Sequence, residues 1–257
     1  MLPLEPGWSD SMTTLIIEKT GITEMKLLQQ ILSVILATVV SIMLCGNATA
    51  SAATGDDSTA VLDFNEQTHL VFSCEEEKLA RDVYRVLARR FPEISAFANM
   101  EASKDHSRCV VLDLMRKYRV SVPRVNDNVG VFSWGIYGRY FTEKYLVLTS
   151  QGSSSPLDAL YVAAFMEELN ILDINECPKV IVDISNGINE VTACGRNYTQ
   201  NPEVLQIYDS MLEESRKHLR LLVHDIELQL GSGKYQAQVL QQNELDDILS
   251  RQQLAQP

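Results

Sequence analysis

The chain has 257 residues, of which 46% are hydrophobic, and this length can bury the core of at least one sizeable domain. Acidic residues outnumber basic ones, 34 against 22, and the formal net charge is −12. Because no basic run is longer than Arg89-Arg90, we expect no nucleic acid and no anionic membrane surface among the partners.

The N-terminal part resembles a targeting sequence more than a folded domain. Residues 27–44 follow a lysine, contain an apolar run from Ile31 and precede small residues, which is the layout of a secretory signal peptide at 25–52. The alternative is membrane anchoring through 27–44, because the stretch is near the minimum length for a span. Either reading predicts a secreted or extracytoplasmic protein. We interpret 1–24 as an extension upstream of the true start and 53–70 as a flexible linker.

The segment 71–250 predicts helices and no strand of any length. Ser73 and Glu76 form a capping-box pattern, and residues with helical periodicity then continue to about position 91. Further helices are expected at about 97–119, 136–150, 156–173, 202–230 and 242–250. Four long helices with shorter extra ones predict an all-α four-helix bundle, followed by a tail at 251–257.

The helical periodicity directs a few polar side chains towards the bundle centre. Glu76 lies on the apolar face of the first helix, Glu167 on that of the third long helix, and His218 at the edge of the fourth. A buried carboxylate needs a partner, a metal ion or a shifted pKa. Glu76, Glu167 and His218 are therefore the candidate metal ligands. The other histidines are expected to point away from the centre, namely His69, His106 and His224.

Inward carboxylates in a four-helix bundle are typical of a di-metal centre. The full pattern takes one Glu from each of two helices and a Glu-x-x-His pair from each of the others, which suits iron or manganese. Here the second helix has Lys104 and Ser107 at the positions of its pair. The alternative is a metal-free centre in which Lys104 forms a buried ion pair with Glu76 and Glu167.

Four of the five cysteines would remain after removal of a signal peptide. An even number outside the cytosol permits two disulfides. Cys177 and Cys194 bracket an irregular segment and form the favoured pair, with Cys74 and Cys109 as the second. Four reduced thiols are the alternative.

Five stretches between residues 72 and 249 occur in the order found in a known family. They are FSCEEEKLARDVY (72–84), GSSSPLDAL (152–160), MEELNILDI (166–174), SRKHLR (215–220) and LQQNELDDIL (240–249). They resemble the ferritin-like, rubrerythrin-related family called domain of unknown function 2202. The resemblance implies a ferritin-like bundle with di-iron or single-metal binding. The family's Glu and His on the second helix fall on Lys104 and Ser107, which puts metal binding in question.

Three functions are consistent with these patterns. The first is a ferritin-like binding or structural module with a degenerate metal site and no cofactor. The second is a di-iron or mononuclear oxidoreductase of rubrerythrin type that holds iron or manganese. The third is a surface protein whose partner site lies between Cys177 and Cys194. No motif specifies a substrate, a catalytic residue or a protein partner, and a homodimer stays open because ferritin-like bundles often dimerise.

Overall fold

Seven α-helices make up the part of the chain that the computed structural model describes, residues 61–121, 126–132, 137–185 and 187–251. They are α1 Phe64–Arg90, α2 Ser95–Lys117, α3 Gly138–Gly152, α4 Pro156–Asn175, α5 Lys179–Ile184, α6 Pro202–Leu230 and α7 Gln242–Ser250. A 3-10 helix, Val191–Ala193, lies between α5 and α6. These ranges contain no β-strand. The predicted all-α fold is therefore confirmed.

The predicted extension 1–24 and the signal peptide or anchor at 25–52 lie outside the described residues, as do the first residues of the linker 53–70. The tail 251–257 is described only at Arg251. Among the described helices, none combines the length and the apolar character needed to span a membrane.

Helix α1 begins at Phe64, well before the expected start near Ser73. The Asp63 carboxylate accepts a hydrogen bond from the Glu66 backbone N–H at 2.8 Å, and the Glu66 side chain accepts one from the Asp63 N–H at 3.0 Å. This capping box satisfies two N–H groups that the helix leaves unpaired. The expected start was wrong because nothing between the two capping patterns breaks a helix, so the second half of the predicted linker is helical.

Helix α6 begins and ends where the sequence predicted, and α4 begins where predicted and ends two residues later, at Asn175. Ser155 caps α4 by accepting from the Asp158 N–H at 3.1 Å, and Asn201 caps α6 by accepting from the Glu203 N–H at 3.0 Å. Each cap is followed by a proline, which is favoured at the first helical position. Gly231 follows the last residue of α6 and caps it, and its φ of 102° favours glycine.

Helix α1 packs against several neighbouring helices along its length. It packs against α2, α3 and α4, while α4 also packs against α6. Every residue from 72 to 84 is buried as a result. The three consecutive acids Glu75, Glu76 and Glu77 are therefore all removed from water, each facing a different neighbour.

The segment after α4 is held by a disulfide between Cys177 and Cys194, the pair that the sequence favoured. Between them lies α5, a short helix that the sequence did not predict. Cys74 is a free, buried thiol, so its predicted pairing with Cys109 was wrong. Burial raises the pKa of Cys74 to about 12, which keeps this thiol protonated at neutral pH.

Candidate functional site

A buried lysine lies between the long helices of the bundle. The Nζ atom of Lys104, on α2, lies 3.0 Å from Glu167 Oε2 on α4 and 3.5 Å from Glu77 Oε1 on α1. It also donates a hydrogen bond to Ser215 Oγ on α6 at 3.1 Å. The four long helices thus meet in one set of side chains. We call this set the central cluster: Lys104, Glu77, Tyr84, Glu167, Asn170, Ser215 and His218.

Glu167 is the most strongly bonded acid of the central cluster. Its Oε1 atom accepts a hydrogen bond from the Tyr84 hydroxyl at 2.6 Å and lies 3.2 Å from His218 Nδ1. Burial alone would raise the pKa of Glu167, but the Lys104 charge and the bonds from His218 and Tyr84 lower it to about 2. Glu167 is therefore a carboxylate across the ordinary pH range, and its charge raises the pKa of Lys104 in turn.

The interactions of Glu77 with its neighbours are weaker than those of Glu167. The Asn170 Nδ2 group donates to Glu77 Oε1 and to Ser215 Oγ, both at 2.9 Å. Burial raises the pKa of Glu77, and the Lys104 charge offsets only part of that effect. Among the described residues, Glu77 Oε2 and Asn170 Oδ1 have no hydrogen-bond donor. Protonation of Glu77 would add a donor where two buried acceptors lack one.

Glu76 was the wrong acid for the pair with Lys104. Consecutive residues on a helix are turned by about 100°, and Glu76 faces Asp173 of α4 and Lys144 of α3. The expectation failed because it assumed that α1 buries one face, whereas α1 is enclosed on several sides. Glu77 takes the expected place, and Glu76 is no longer a candidate ligand at the centre.

The other predicted positions fall into three groups. Ser107 lies beside the central cluster, where its hydroxyl donates to Glu214 Oε2 at 2.8 Å. His106 and His224 are exposed, as expected. His69 was wrongly placed outside: its Nε2 donates to the Asp173 carbonyl at 2.7 Å and its Nδ1 accepts from Tyr208 at 2.6 Å. Burial lowers the pKa of His69 to about 4, so the ring is neutral at pH 7.

Tyr84 and Asn170 are cluster members that the sequence did not assign to the site. Both occupy apolar helix faces, where a tyrosine or an asparagine more often packs in a core than joins a charged group. The spacing of Glu167 and Asn170 by three residues places them on one face of α4, and this was the available signal.

The residues of the central cluster do not fit a di-metal centre. Carboxylates that hold such ions must direct their oxygens at the metal, but Glu167 and Glu77 direct theirs at the Lys104 ammonium. Ser107 and Ser215 stand where the pattern requires further charged or imidazole ligands. Within the described ranges, no group of three or more His, Cys, Asp or Glu side chains has an arrangement that could hold a metal ion.

Known proteins are similar to this chain in sequence and in fold. A family described as "Uncharacterized protein domain (DUF2202)" matches residues 66–252. "Uncharacterized protein MJ0754" of Methanocaldococcus jannaschii is 31% identical over 185 residues, which cover 72% of this chain and 86% of that protein. The crystal structure of hypothetical protein MJ0754 is similar with a TM-score of 0.61 and 28% identity, over 78% of this chain and 98% of that one.

Proposed function

Since the chain belongs to the DUF2202 family, we propose that it is a ferritin-like helical-bundle protein that holds a buried ion pair in place of a metal. It acts outside the cytosol as a binding or structural module. The observation that supports the proposal is the position of Lys104 Nζ, 3.0 Å from Glu167 and 3.5 Å from Glu77.

Electrostatics favours the ion pair over a metal at this place. A divalent ion about 4 Å from an ammonium is repelled by on the order of 8 kcal/mol at an effective dielectric constant of about 20. Lys104 is 2% exposed, so water screens little of this repulsion. The ammonium also supplies the positive charge that Glu167 needs. An ion pair in this position stabilises the bundle. Any ligand or partner then binds at the surfaces and clefts around the centre.

Two features support a location outside the cytosol. The apolar stretch 27–44 precedes small residues that suit cleavage by signal peptidase. A disulfide such as Cys177–Cys194 is typical of oxidising compartments. Membrane attachment through 27–44 is the competing arrangement.

The metal content of the protein tests the proposal. The full chain, purified without chelators and without a metal-binding tag, is expected to contain no iron or manganese above trace levels by elemental analysis. A full complement of either metal would refute the metal-free centre and favour the rubrerythrin-type oxidoreductase. Its thermal unfolding should also be unchanged by added Fe²⁺ or Mn²⁺, since a ligand stabilises only the state it binds.

The double variant Lys104→Glu with Ser107→His restores the missing Glu-x-x-His pair. We expect added Mn²⁺ to raise its unfolding temperature, because the removed ammonium is replaced by two ligands. The matched variant Lys104→Met with Ser107→Ala loses the ammonium without gaining ligands and should not respond. If both variants respond equally to Mn²⁺, then positions 104 and 107 do not determine metal binding.

A further inference from the structure

A second polar cluster lies apart from the central cluster, around Lys144 on α3. Lys144 lines two clefts. The first has a volume of about 480 Å³ and is bordered by α3, α4 and Gln238. The second, about 490 Å³, lies beside the disulfide-linked segment and is bordered by Tyr140 and Asp173. Both volumes are in the range of small-molecule sites.

The Lys144 amine has no carboxylate in direct contact. Its Nζ donates a hydrogen bond to the Tyr140 hydroxyl at 2.7 Å, and it lies 5.0 Å from the Tyr140 ring and 5.8 Å from the Phe165 ring. Among the described residues it forms no ion pair within 4.0 Å. Burial lowers the pKa of Lys144 against the opposing charges of Glu76 and Asp173. A larger share of the amine is thus in the free, nucleophilic form.

A pair of carboxyl groups faces the same place. Glu76 of α1 and Asp173 of α4 are each 6% exposed, and a hydrogen bond joins them, which requires one proton between the two. Burial raises the pKa of both, that of Asp173 to about 6 and that of Glu76 well above its usual value. A protonated acid and a carboxylate therefore lie side by side. The acid can donate a proton to a reacting group, and the carboxylate can accept one from it.

We propose that Lys144 captures small carbonyl compounds as a reversible imine in the clefts that it lines. This activity goes beyond the proposed function, because it uses no residue of the central cluster. It requires an amine that no carboxylate contacts directly, a cleft that admits the ligand, and a nearby acid and base, and the three are found together here.

The step balances without any oxidant or reductant. The nitrogen lone pair of Lys144 forms a bond to the carbonyl carbon, and the carbonyl electron pair moves to oxygen, which takes the proton of the protonated acid. The nitrogen then gives a proton to the carboxyl pair, which passes it to the hydroxyl, and water leaves as the nitrogen lone pair forms the C=N bond. The iminium nitrogen returns its remaining proton to the pair, which leaves a neutral imine and the pair in its starting state, and the reverse sequence releases the ligand.

The cleft walls indicate an uncharged carbonyl compound with an apolar body. The first cleft presents Tyr161, Phe165 and Val162, and Lys144 is its basic side chain. The charged residues that line the two clefts besides Lys144 are Asp158, Asp173, Glu176, Lys179 and Asp183. Because these are mostly acids, a carboxylate on the ligand would be repelled. An aromatic or aliphatic aldehyde fits this environment.

Reductive trapping tests the proposal on the full chain. Benzaldehyde is added, sodium cyanoborohydride reduces any imine to a stable secondary amine, and peptide mass spectrometry measures labelling at each lysine. We expect Lys144 to be labelled faster than Lys179, because burial lowers the pKa of Lys144 and enlarges its free-amine fraction. Lys179 lines the same second cleft but pairs with Asp183 at 2.6 Å. Equal labelling of both lysines would overturn the proposal.

Two substitutions test the role of the carboxyl pair. Asp173→Asn should slow labelling of Lys144 about tenfold or more, because the one carboxyl group that remains, Glu76, cannot supply the acid and the base together. Asp183→Asn removes an acid from the same cleft and should leave the Lys144 rate unchanged. An unchanged rate in Asp173→Asn would overturn the proton-transfer role. If 4-carboxybenzaldehyde labels Lys144 faster than benzaldehyde, the assignment to uncharged ligands is wrong. Unfolding temperatures of all variants verify that they fold.

Discussion

At the residue scale, the stability of the central cluster depends on the balance between one ammonium and the two acidic side chains that face it. The Lys104 charge is what keeps Glu167 ionised in a position that is fully buried. A buried charge that loses its partner keeps the full cost of its desolvation. Lys104 is therefore the single residue on which the bundle centre most depends.

Replacing Lys104 with methionine should lower the free energy of unfolding by about 3–5 kcal/mol, because Glu167 stays buried without a cation. Adding Glu167→Gln should recover part of this loss, since a neutral amide needs no counter-charge. Lys179→Met breaks an exposed pair with Asp183 and should cost at most about 1 kcal/mol. Urea unfolding measures all three, and a Lys104 cost no larger than the Lys179 cost would contradict the account.

The sequence located part of this cluster and missed the rest for a physical reason. Lys104, Glu167 and His218 follow from helical periodicity, because α2, α4 and α6 each direct one side of the helix at the centre. Periodicity does not separate Glu76 from Glu77, because α1 is buried on several sides and both acids face protein. Only the neighbouring helices decide which acid meets Lys104.

At the element scale, one carboxylate accepts four hydrogen bonds from the C-terminal segment. Glu168 Oε2 accepts hydrogen bonds from the backbone N–H groups of Gln238, Val239 and Leu240 at 2.8, 2.6 and 3.1 Å. Its Oε1 accepts one from the Tyr235 hydroxyl at 2.6 Å. These bonds hold the connection between α6 and α7 against α4, and bonds to a charged acceptor are among the stronger ones.

Glu168→Ala should therefore release the C-terminal segment without unfolding the bundle. We expect its local opening to become easier by at least about 2 kcal/mol, which corresponds to roughly thirtyfold faster amide exchange at residues 235–248. Asp247→Ala, an exposed change on α7 itself, serves as the control. Hydrogen exchange followed by mass spectrometry reports each segment. A uniform increase over α1, α4 and α6 as well would show that Glu168 acts on the whole bundle.

Helix boundaries were predictable where a capping or helix-breaking residue marks the end of a helix, and they were less predictable elsewhere. Helices α4 and α6 follow a Ser-Pro and an Asn-Pro, and Gly231 ends the latter. The beginning of α1 was missed because two capping patterns compete and the sequence does not rank them. Helix α5 has six residues, too few for a periodic signal, and its place follows from the disulfide beside it.

At the scale of the whole molecule, buried acids of two kinds set how stability depends on pH. In the folded chain the pKa of Glu167 is lowered to about 2. Its contribution to the free energy of unfolding is therefore fully present at pH values above the pKa that it has in the unfolded chain, and it is lost as the pH falls through about 2. Burial raises the pKa of Glu75 to about 7 and that of Asp173 to about 6, and it also raises the pKa of Glu76 and Glu77. In these groups the folded state retains protons that the unfolded state has lost.

The sign of this effect follows from proton binding. Where the folded chain binds more protons than the unfolded chain, stability decreases as the pH rises. His69 acts in the opposite direction, because its lowered pKa of about 4 makes the unfolded chain bind the extra proton up to its ordinary value. Four raised acids outweigh one histidine, so the free energy of unfolding should be largest at mildly acidic pH and decline towards neutrality.

Asp173→Asn isolates one contribution to that decline. The substitution removes a proton that the folded chain binds between about pH 4 and pH 6, so the decline in this window should become shallower by at most about 1.4 kcal/mol per pH unit. Asp183→Asn removes the same formal charge from an exposed ion pair and should leave the slope unchanged. Urea unfolding across this pH range measures both. Parallel curves for Asp173→Asn and the parent would mean that the Glu76–Asp173 pair does not share a proton in the folded protein, and the acid and base assigned to Lys144 would be lost with it.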